Sequence, residues 1–351
     1  MAYTTINKHT DYFNTTLYTG NDTDNRAITG IPFAPNLVWI KDRSNSNSHY
    51  LQDTVRGATK NLKADGTDAE ETRVSSIKSF TSDGWTMGTE AAVNANNQSF
   101  ASWSWKAETT GSGSTTGSGT SKTYNYSVNT TAGFSITKYT GNGNSGHTIP
   151  HSLGTTPKIV IVKELSATDY WRVYHPALTA NYNLYLNTNH AQDSASDGYI
   201  TSVGSTTFGF GGSSNTNTVN QDGNDYIAYC FAEKTGYSKM GSYLGNANTN
   251  GPFIYTGFKP AFIIIKQITD ANQEWEMFDN KRDGYNDANR RLYPNASDAE
   301  ASATDRIRIV SNGFKAVTSG GSHVNGSSKT HIYMAFGQSL VGSNNIPCTA
   351  R

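Results

Sequence analysis

Pro35-Asn36-Leu37-Val38-Trp39-Ile40-Lys41, Pro157-Lys158-Ile159-Val160-Ile161-Val162-Lys163 and Pro260-Ala261-Phe262-Ile263-Ile264-Ile265-Lys266 are one pattern written three times. Each is a proline, a short and mostly apolar run, then a lysine six residues on (41−35, 163−157, 266−260). The runs are too short for a buried helix and rich in β-branched residues, so they predict central β-strands. A proline at a strand start is tolerated, because its missing N–H lies outside the ladder.

Further landmarks recur around this pattern. Tyr18-Thr19-Gly20-Asn21, Tyr139-Thr140-Gly141-Asn142 and Tyr243-Leu244-Gly245-Asn246 stand upstream. Val93-Asn94, Val219-Asn220 and Val324-Asn325 stand downstream, and 11 residues after each asparagine comes a large aromatic: Trp105, Phe231 and Phe336 (105−94, 231−220, 336−325). Internal repetition of this kind sets the architecture before any motif is considered. It predicts an all-β chain of three homologous antiparallel β-sandwich, jelly-roll-like units of about 100 residues, the size of a small domain.

The predicted boundaries are 1–107 for the first unit, 108–123 for a Gly/Ser/Thr linker, 124–236 for the second unit and 237–351 for the third. The linker rests on the low-complexity run Thr109 to Thr120. On that reading the first unit is semi-independent, and the second and third pack together. Tyr226 to Phe231 and His331 to Phe336 read as further strands, and Ser82-Asp83-Gly84-Trp85 and Ser311-Asn312-Gly313-Phe314 as turns into strands. Thr67-Asp68-Ala69-Glu70 and Ser297-Asp298-Ala299-Glu300 fit a capping box, which predicts a short helical turn after each.

Composition narrows the function classes. Of 351 residues 35% are hydrophobic and 11% aromatic, with polar turn formers in excess, a mix that suits many short strands. Twenty-eight basic residues balance 28 acidic ones and no basic run stands out, against nucleic acid as partner. The N-terminus lacks the apolar core of a signal peptide, and no stretch approaches the length of a membrane helix. These features predict folding in a cytoplasm without membrane insertion. Two cysteines, Cys230 and Cys348, make no disulfide framework, and Cys230 reads as a buried free thiol.

Candidate chemical groups mostly read as structural. Asp53/Arg56 and Asp279/Arg282 recur in two units, as ion pairs that order a loop do and an active site rarely does. The second unit shows Tyr174-His175-Pro176-Ala177-Leu178 instead. The loops Asn21 to Asn25, Asp65 to Asp68, Asp222 to Asp225 and Asp283 to Asp287 are rich in oxygen ligands, yet none fits a calcium-loop pattern, so they read as turns. His147 and His151 flank Pro150 and share no helix face, and Gly141 to Gly146 precedes no helix pattern, so neither zinc nor nucleotide is implied. Trp39, Trp85, Trp103, Trp105, Trp171 and Trp275 are possible platforms for sugar rings. Trp105 and Trp85 have repeat equivalents in the apolar pattern and read as core, and Trp171 and Trp275 match each other and read as structural. No catalytic, cofactor, metal or receptor-binding residue is assigned.

The sequence also resembles a family of phage virion structural proteins, abundant among marine phages and labelled tail-fibre-like. The resemblance is carried by Met1-Ala2-Tyr3-Thr4-Thr5-Ile6, Trp39-Ile40-Lys41-Asp42-Arg43, Asp53-Thr54-Val55-Arg56-Gly57, Ala101-Ser102-Trp103-Ser104-Trp105-Lys106, Tyr255-Thr256-Gly257-Phe258-Lys259-Pro260-Ala261-Phe262 and Ile332-Tyr333-Met334-Ala335-Phe336. It implies a β-rich, non-enzymatic virion part without cofactor, such as a tail fibre or tail appendage assembled in the host cytoplasm. The expected partners are its own copies in a homotrimer, other virion proteins and a host surface glycan. A capsid decoration protein or head fibre is the alternative, and a polysaccharide depolymerase the second. The first unit is expected to face the particle.

Overall fold

The computed structural model describes residues 4–194, 198–211, 219–284 and 286–341. Cys348 and Tyr285 lie outside them. Among the described residues the fold is all-β: six antiparallel sheets, with two four-residue α-helices at Ala91–Asn94 and Ser322–Asn325 and a 3-10 turn at His9–Asp11. Among the described residues no helix is long and apolar enough to cross a membrane.

The strands fall into three sequence blocks, each building two sheets, of six and three, eight and four, and four and four strands; the sheet that carries the repeated apolar run is called the large sheet and its partner the small one. In the first block the large sheet runs Phe13–Thr19, Ser99–Trp105, Leu37–Asp42, Tyr50–Asp53, Lys60–Lys63, Glu71–Thr72, and the small one Arg26–Ile28, Gly84–Met87, Ile77–Thr81. In the second block the order Phe134–Thr140, Asp225–Phe231, Ile159–Glu164, Arg172–Tyr174, Tyr182–Tyr185, Asp193–Ser194 is extended at one edge by Thr123–Asn129 and Thr109–Ser114. Its small sheet is Thr116–Gly117, His147–Pro150, Thr207–Gly211, Tyr199–Thr201. The third block has Ser238–Leu244, Thr330–Ser339, Phe258–Gln267, Glu276–Asp279 facing Phe253–Tyr255, Gly313–Ala316, Ala301–Val310, Ala288–Arg291.

The repeated apolar run is the middle of each large sheet and is buried on both faces. Side chains of a strand alternate between faces. Val38 and Ile40 enter the core between the two sheets of the first block, while Leu37 and Trp39 point the other way. Val160 and Val162 part from Ile159 and Ile161 in the same manner, as do Ile263 and Ile265 from Phe262 and Ile264. The second set from all three blocks joins one shared core, which also holds the landmark aromatics. Trp105, Phe231 and Phe336 form a triangle with ring centroids 6.2, 6.0 and 5.8 Å apart, each pair tilted toward edge-to-face. That geometry places positive ring edges on negative ring faces.

The other landmarks close each block internally. Tyr18, Tyr139 and Tyr243 donate to the carbonyls of Val93, Val219 and Val324 at 2.8, 2.7 and 2.6 Å. Oδ1 of Asn94, Asn220 and Asn325 accepts the backbone N–H of Asn21, Asn142 and Asn246. The intervening glycine is required by close approach: a Cβ on Gly20 would lie 1.9 Å from the Ala95 carbonyl oxygen.

Three expectations are corrected. The segment 108–123 is no free spacer, since Thr109–Ser114 and Thr116–Gly117 add to both sheets of the second block. Its glycines leave room for the tyrosines of the partner strand to lie over it: a Cβ on Gly111 would lie 2.5 Å from the Tyr126 hydroxyl. The first block is not semi-independent, because its strand faces are one wall of the shared core. The capping boxes start no helix: Glu71–Thr72 and Ala301–Val310 follow as strands, and Glu70 and Glu300 turn to buried arginines instead. A smaller difference concerns Pro260, which sits inside Phe258–Gln267 at a β-bulge, where a missing donor does no harm.

A shared core predicts one cooperative transition. Phe231→Ala should destabilise by about 3–5 kcal/mol, with tryptophan fluorescence and far-ultraviolet circular dichroism moving together in a denaturant titration. Separate early loss of the first-block signal would contradict the shared core.

Candidate functional site

The recurring Asp-x-x-Arg loops build the same constellation twice. Asp53 Oδ1 accepts the N–H groups of Val55 and Arg56 at 3.0 and 2.9 Å, and Asp53 Oδ2 accepts Arg56 Nε at 2.5 Å. Asp279 does the same with Lys281, Arg282 and Arg282 Nε, at 2.9, 2.9 and 2.6 Å. Arg56 reaches Leu51 O and Glu70, and Arg282 reaches Met277 O and Glu300. Both arginine side chains are buried.

Each carboxylate also accepts from the next block. Tyr229 Oη donates to Asp53 Oδ2 at 2.8 Å, and Trp103 Nε1 to Asp279 Oδ2 at 3.2 Å. Tyr229 and Trp103 stand two residues before Phe231 and Trp105. The third such position, before Phe336, is Met334, which has no N–H or O–H to give. The loop of the second block correspondingly carries no carboxylate. His175 takes the aspartate's place, its Nδ1 accepting the Ala177 N–H at 3.1 Å, and Leu178 takes the arginine's.

A directed ring of contacts joins the blocks. Glu70 N donates to Leu165 O, Gln192 N to Ile268 O and Glu300 N to Arg43 O, at 3.0, 3.1 and 2.9 Å. All three acceptors stand two residues past a landmark lysine. Trp171 Nε1 donates to Lys63 O and Trp275 Nε1 to Tyr185 O, both at 2.9 Å, so these tryptophans link neighbouring blocks. At the matching place in the first block stands His49, which accepts Trp39 Nε1 at 2.9 Å. Burial, with Lys41 adding to it, drives the His49 ring well below its ordinary pKa.

The landmark lysines are buried and donate to backbone carbonyls: Lys41 to Asp42 and Asn45, Lys163 to Glu164, Lys266 to Gln273. Burial pushes Lys41 and Lys163 down from 10.5 to about 8, and Lys266 to about 7. Cys230 is a free, buried thiol whose pKa burial pushes up, so it is no ready nucleophile.

The remaining candidates are spread out. Trp85, Trp103, Trp105 and Trp171 are fully buried, and Trp39 and Trp275 nearly so. His147 bonds Asn220 and Thr115, while His151 bonds Gly204 O, so the two rings serve different contacts. Acid groups of the oxygen-rich loops pair with bases: Asp24 with Lys78, Asp68 with Lys63, Asp222 with Lys122, Asp283 with Arg290. Among the described residues no three His, Cys, Asp or Glu side chains group to hold a metal ion.

An open cleft lies at the divergent loop of the second block. A cleft of about 280 Å³ is lined by residues 174–176, 178–182 and 200–202. The cavities at the shared core hold only about 20 Å³ each and are lined by aromatic and aliphatic side chains. Sequence reading singled out Tyr174 to Leu178 by its departure from the repeat. It missed Thr179, Asn181, Thr201 and Ser202, whose segments match no repeated landmark. The family described as "Domain of unknown function (DUF7483)" matches residues 8–339. No curated protein matches the chain.

Two outcomes follow from the buried groups. Arg56→Leu strands Asp53 and should cost about 3–5 kcal/mol in chemical denaturation. Adding Asp53→His, Glu70→Gln and Tyr229→Met copies the second-block set and should recover most of that loss; no recovery would mean the sets are not interchangeable. For the lysines, the unfolded chain binds protons that the folded chain does not, so their stabilisation is complete above the ordinary value and lost as pH falls through about 8 to about 7. Thermal midpoints should therefore rise between about pH 7 and about pH 9. The triple variant Lys41→Met, Lys163→Met, Lys266→Met should flatten that rise.

Proposed function

The chain belongs to the DUF7483 family, and we propose that it is a non-enzymatic structural protein of a phage virion, a tail fibre or tail appendage. In this reading the three blocks are homologous β-sandwich units around one pseudo-three-fold axis. The observation that carries it is the near-equilateral triangle of Trp105, Phe231 and Phe336, together with the directed ring of contacts from block to block. One chain then supplies a three-fold body by itself, and a homotrimer is not required to form the core. The sequence resemblance to virion proteins supports the setting. The burial of both Asp–Arg pairs supports a scaffold role for them rather than a catalytic one.

A three-fold body in one chain also suits a capsid three-fold position, which favours capsid decoration as the second reading. Electron microscopy of purified particles with a bound antibody fragment separates the two. Density at the tail is expected, density on capsid faces would move the protein to the head, and absence from particles would overturn both. Light scattering tests the expected homotrimer: three chains of 38.0 kDa each would support it, and a single chain would overturn it. Release of reducing sugar from host polysaccharide would overturn the non-enzymatic reading.

A further inference from the structure

We propose that the cleft of the second block binds an uncharged, polyhydroxylated ligand: a neutral saccharide ring. This adds a site and a ligand class to the virion reading above, and it rests on that reading only for its biological setting.

The chemistry of the lining selects the ligand. Among the described residues no Asp, Glu, Lys or Arg lines the cleft. A charged ligand would leave water without a counter-charge among these lining residues, which is costly. Hydroxyl and amide groups are abundant instead: Thr179, Asn181, Thr201 and Ser202 stand at its mouth, all exposed or half-buried. Each both donates and accepts, as a ring of hydroxyls requires. Tyr174, Tyr182, Pro176, Leu178 and Ile200 give apolar wall for the C–H faces of a sugar.

His175 adds an independent observation. It is 1% exposed and lines the cleft. Its Nδ1 accepts the Ala177 N–H, which leaves the proton of the neutral ring on Nε2. Burial, reinforced by Lys158, pushes its pKa to about 4, so the ring is neutral at ordinary pH. Nε2 is buried and has no partner among the described residues. An unpartnered buried donor costs about 1–3 kcal/mol, so this ring is held less firmly than the Asp–Arg pairs that take its place in the other blocks. At this place in the other blocks a carboxylate is held by a buried arginine, with Glu70 or Glu300 beside it. Here the arginine is Leu178, and the glutamate's counterpart is Gln192, whose Oε1 accepts the Thr179 N–H at 2.7 Å. The exchange strips the site of charge.

The test is a nuclear magnetic resonance titration of the isolated full chain with the methyl glycosides of glucose, galactose and N-acetylglucosamine, read at the His175 ring and the Asn181 and Ser202 amides. Saturable shifts are expected for at least one of them. Glucuronate and glucosamine should bind about tenfold more weakly or worse, for want of a counter-charge. Thr179→Val with Thr201→Val should abolish the shifts, with circular dichroism unchanged. Absence of saturable shifts for every neutral glycoside, equal affinity for the charged sugars, or shifts untouched by the paired variant would each overturn the proposal. The assay uses no virion, so its failure leaves the structural role standing, and its success leaves that role to be tested separately.

Discussion

Trp105, Phe231 and Phe336 meet at one point, and every sheet of the large set is oriented by that meeting. Each ring sits on a strand between two partners: Trp105 opposite Phe13 and Leu37, Phe231 opposite Phe134 and Ile159, Phe336 opposite Ser238 and Phe262. To bring the three rings together, the inner faces of three large sheets must face one another. Each large sheet is then covered twice, by its own small sheet and by its two neighbours. A block on its own would expose the inner half of its central strand, apolar area worth about 25 cal/mol per Å². No block is therefore a finished fold, and the chain closes on itself rather than forming beads on a string.

Apolar burial fixes that the sheets meet, and polar bonds fix how. The main-chain links Glu70 to Leu165, Gln192 to Ile268 and Glu300 to Arg43 run in one rotational sense, so the arrangement is a ring and not a stack. Side chains follow the same sense with local matching. Where the strand of the next block offers Tyr229 or Trp103, the loop offers a carboxylate; where it offers Met334, the loop offers His175. A buried carboxylate without its donor and its arginine would be costly, so donor, acceptor and counter-ion change together or not at all.

Much of this was legible in the sequence. Strand positions, turns, the Val-Asn landmarks and the core tryptophans follow from spacing and residue type. The third layer was also written there, in the absence of alternation: a run such as Ile159-Val160-Ile161-Val162 has no polar face, so both sides need cover. Which block covers which could not be read, because contacts across hundreds of residues leave no local period. The Thr109 to Thr120 run misled for a different reason. Glycine and small hydroxylated residues suit a linker, and equally a strand pressed against tyrosine rings, and only Tyr124 and Tyr126 decide between the two. The cleft was half legible, since the repeat shows where a loop departs from its equivalents but not which distant segment forms the facing wall.

That segment also makes the three blocks unequal at their edges. In the second block Thr123–Asn129 and Thr109–Ser114 continue the large sheet, and Thr116–Gly117 continues the small one. The equivalent strands Phe13–Thr19 and Ser238–Leu244 end their sheets. An open edge presents unpaired N–H and C=O groups and invites pairing, and the added strands carry that edge outward to Thr109–Ser114 without removing it. The second block is also the one whose loop has lost its buried charges. Extension and divergence in one block are thus compatible with the shared core, which requires only that the inner faces stay alike.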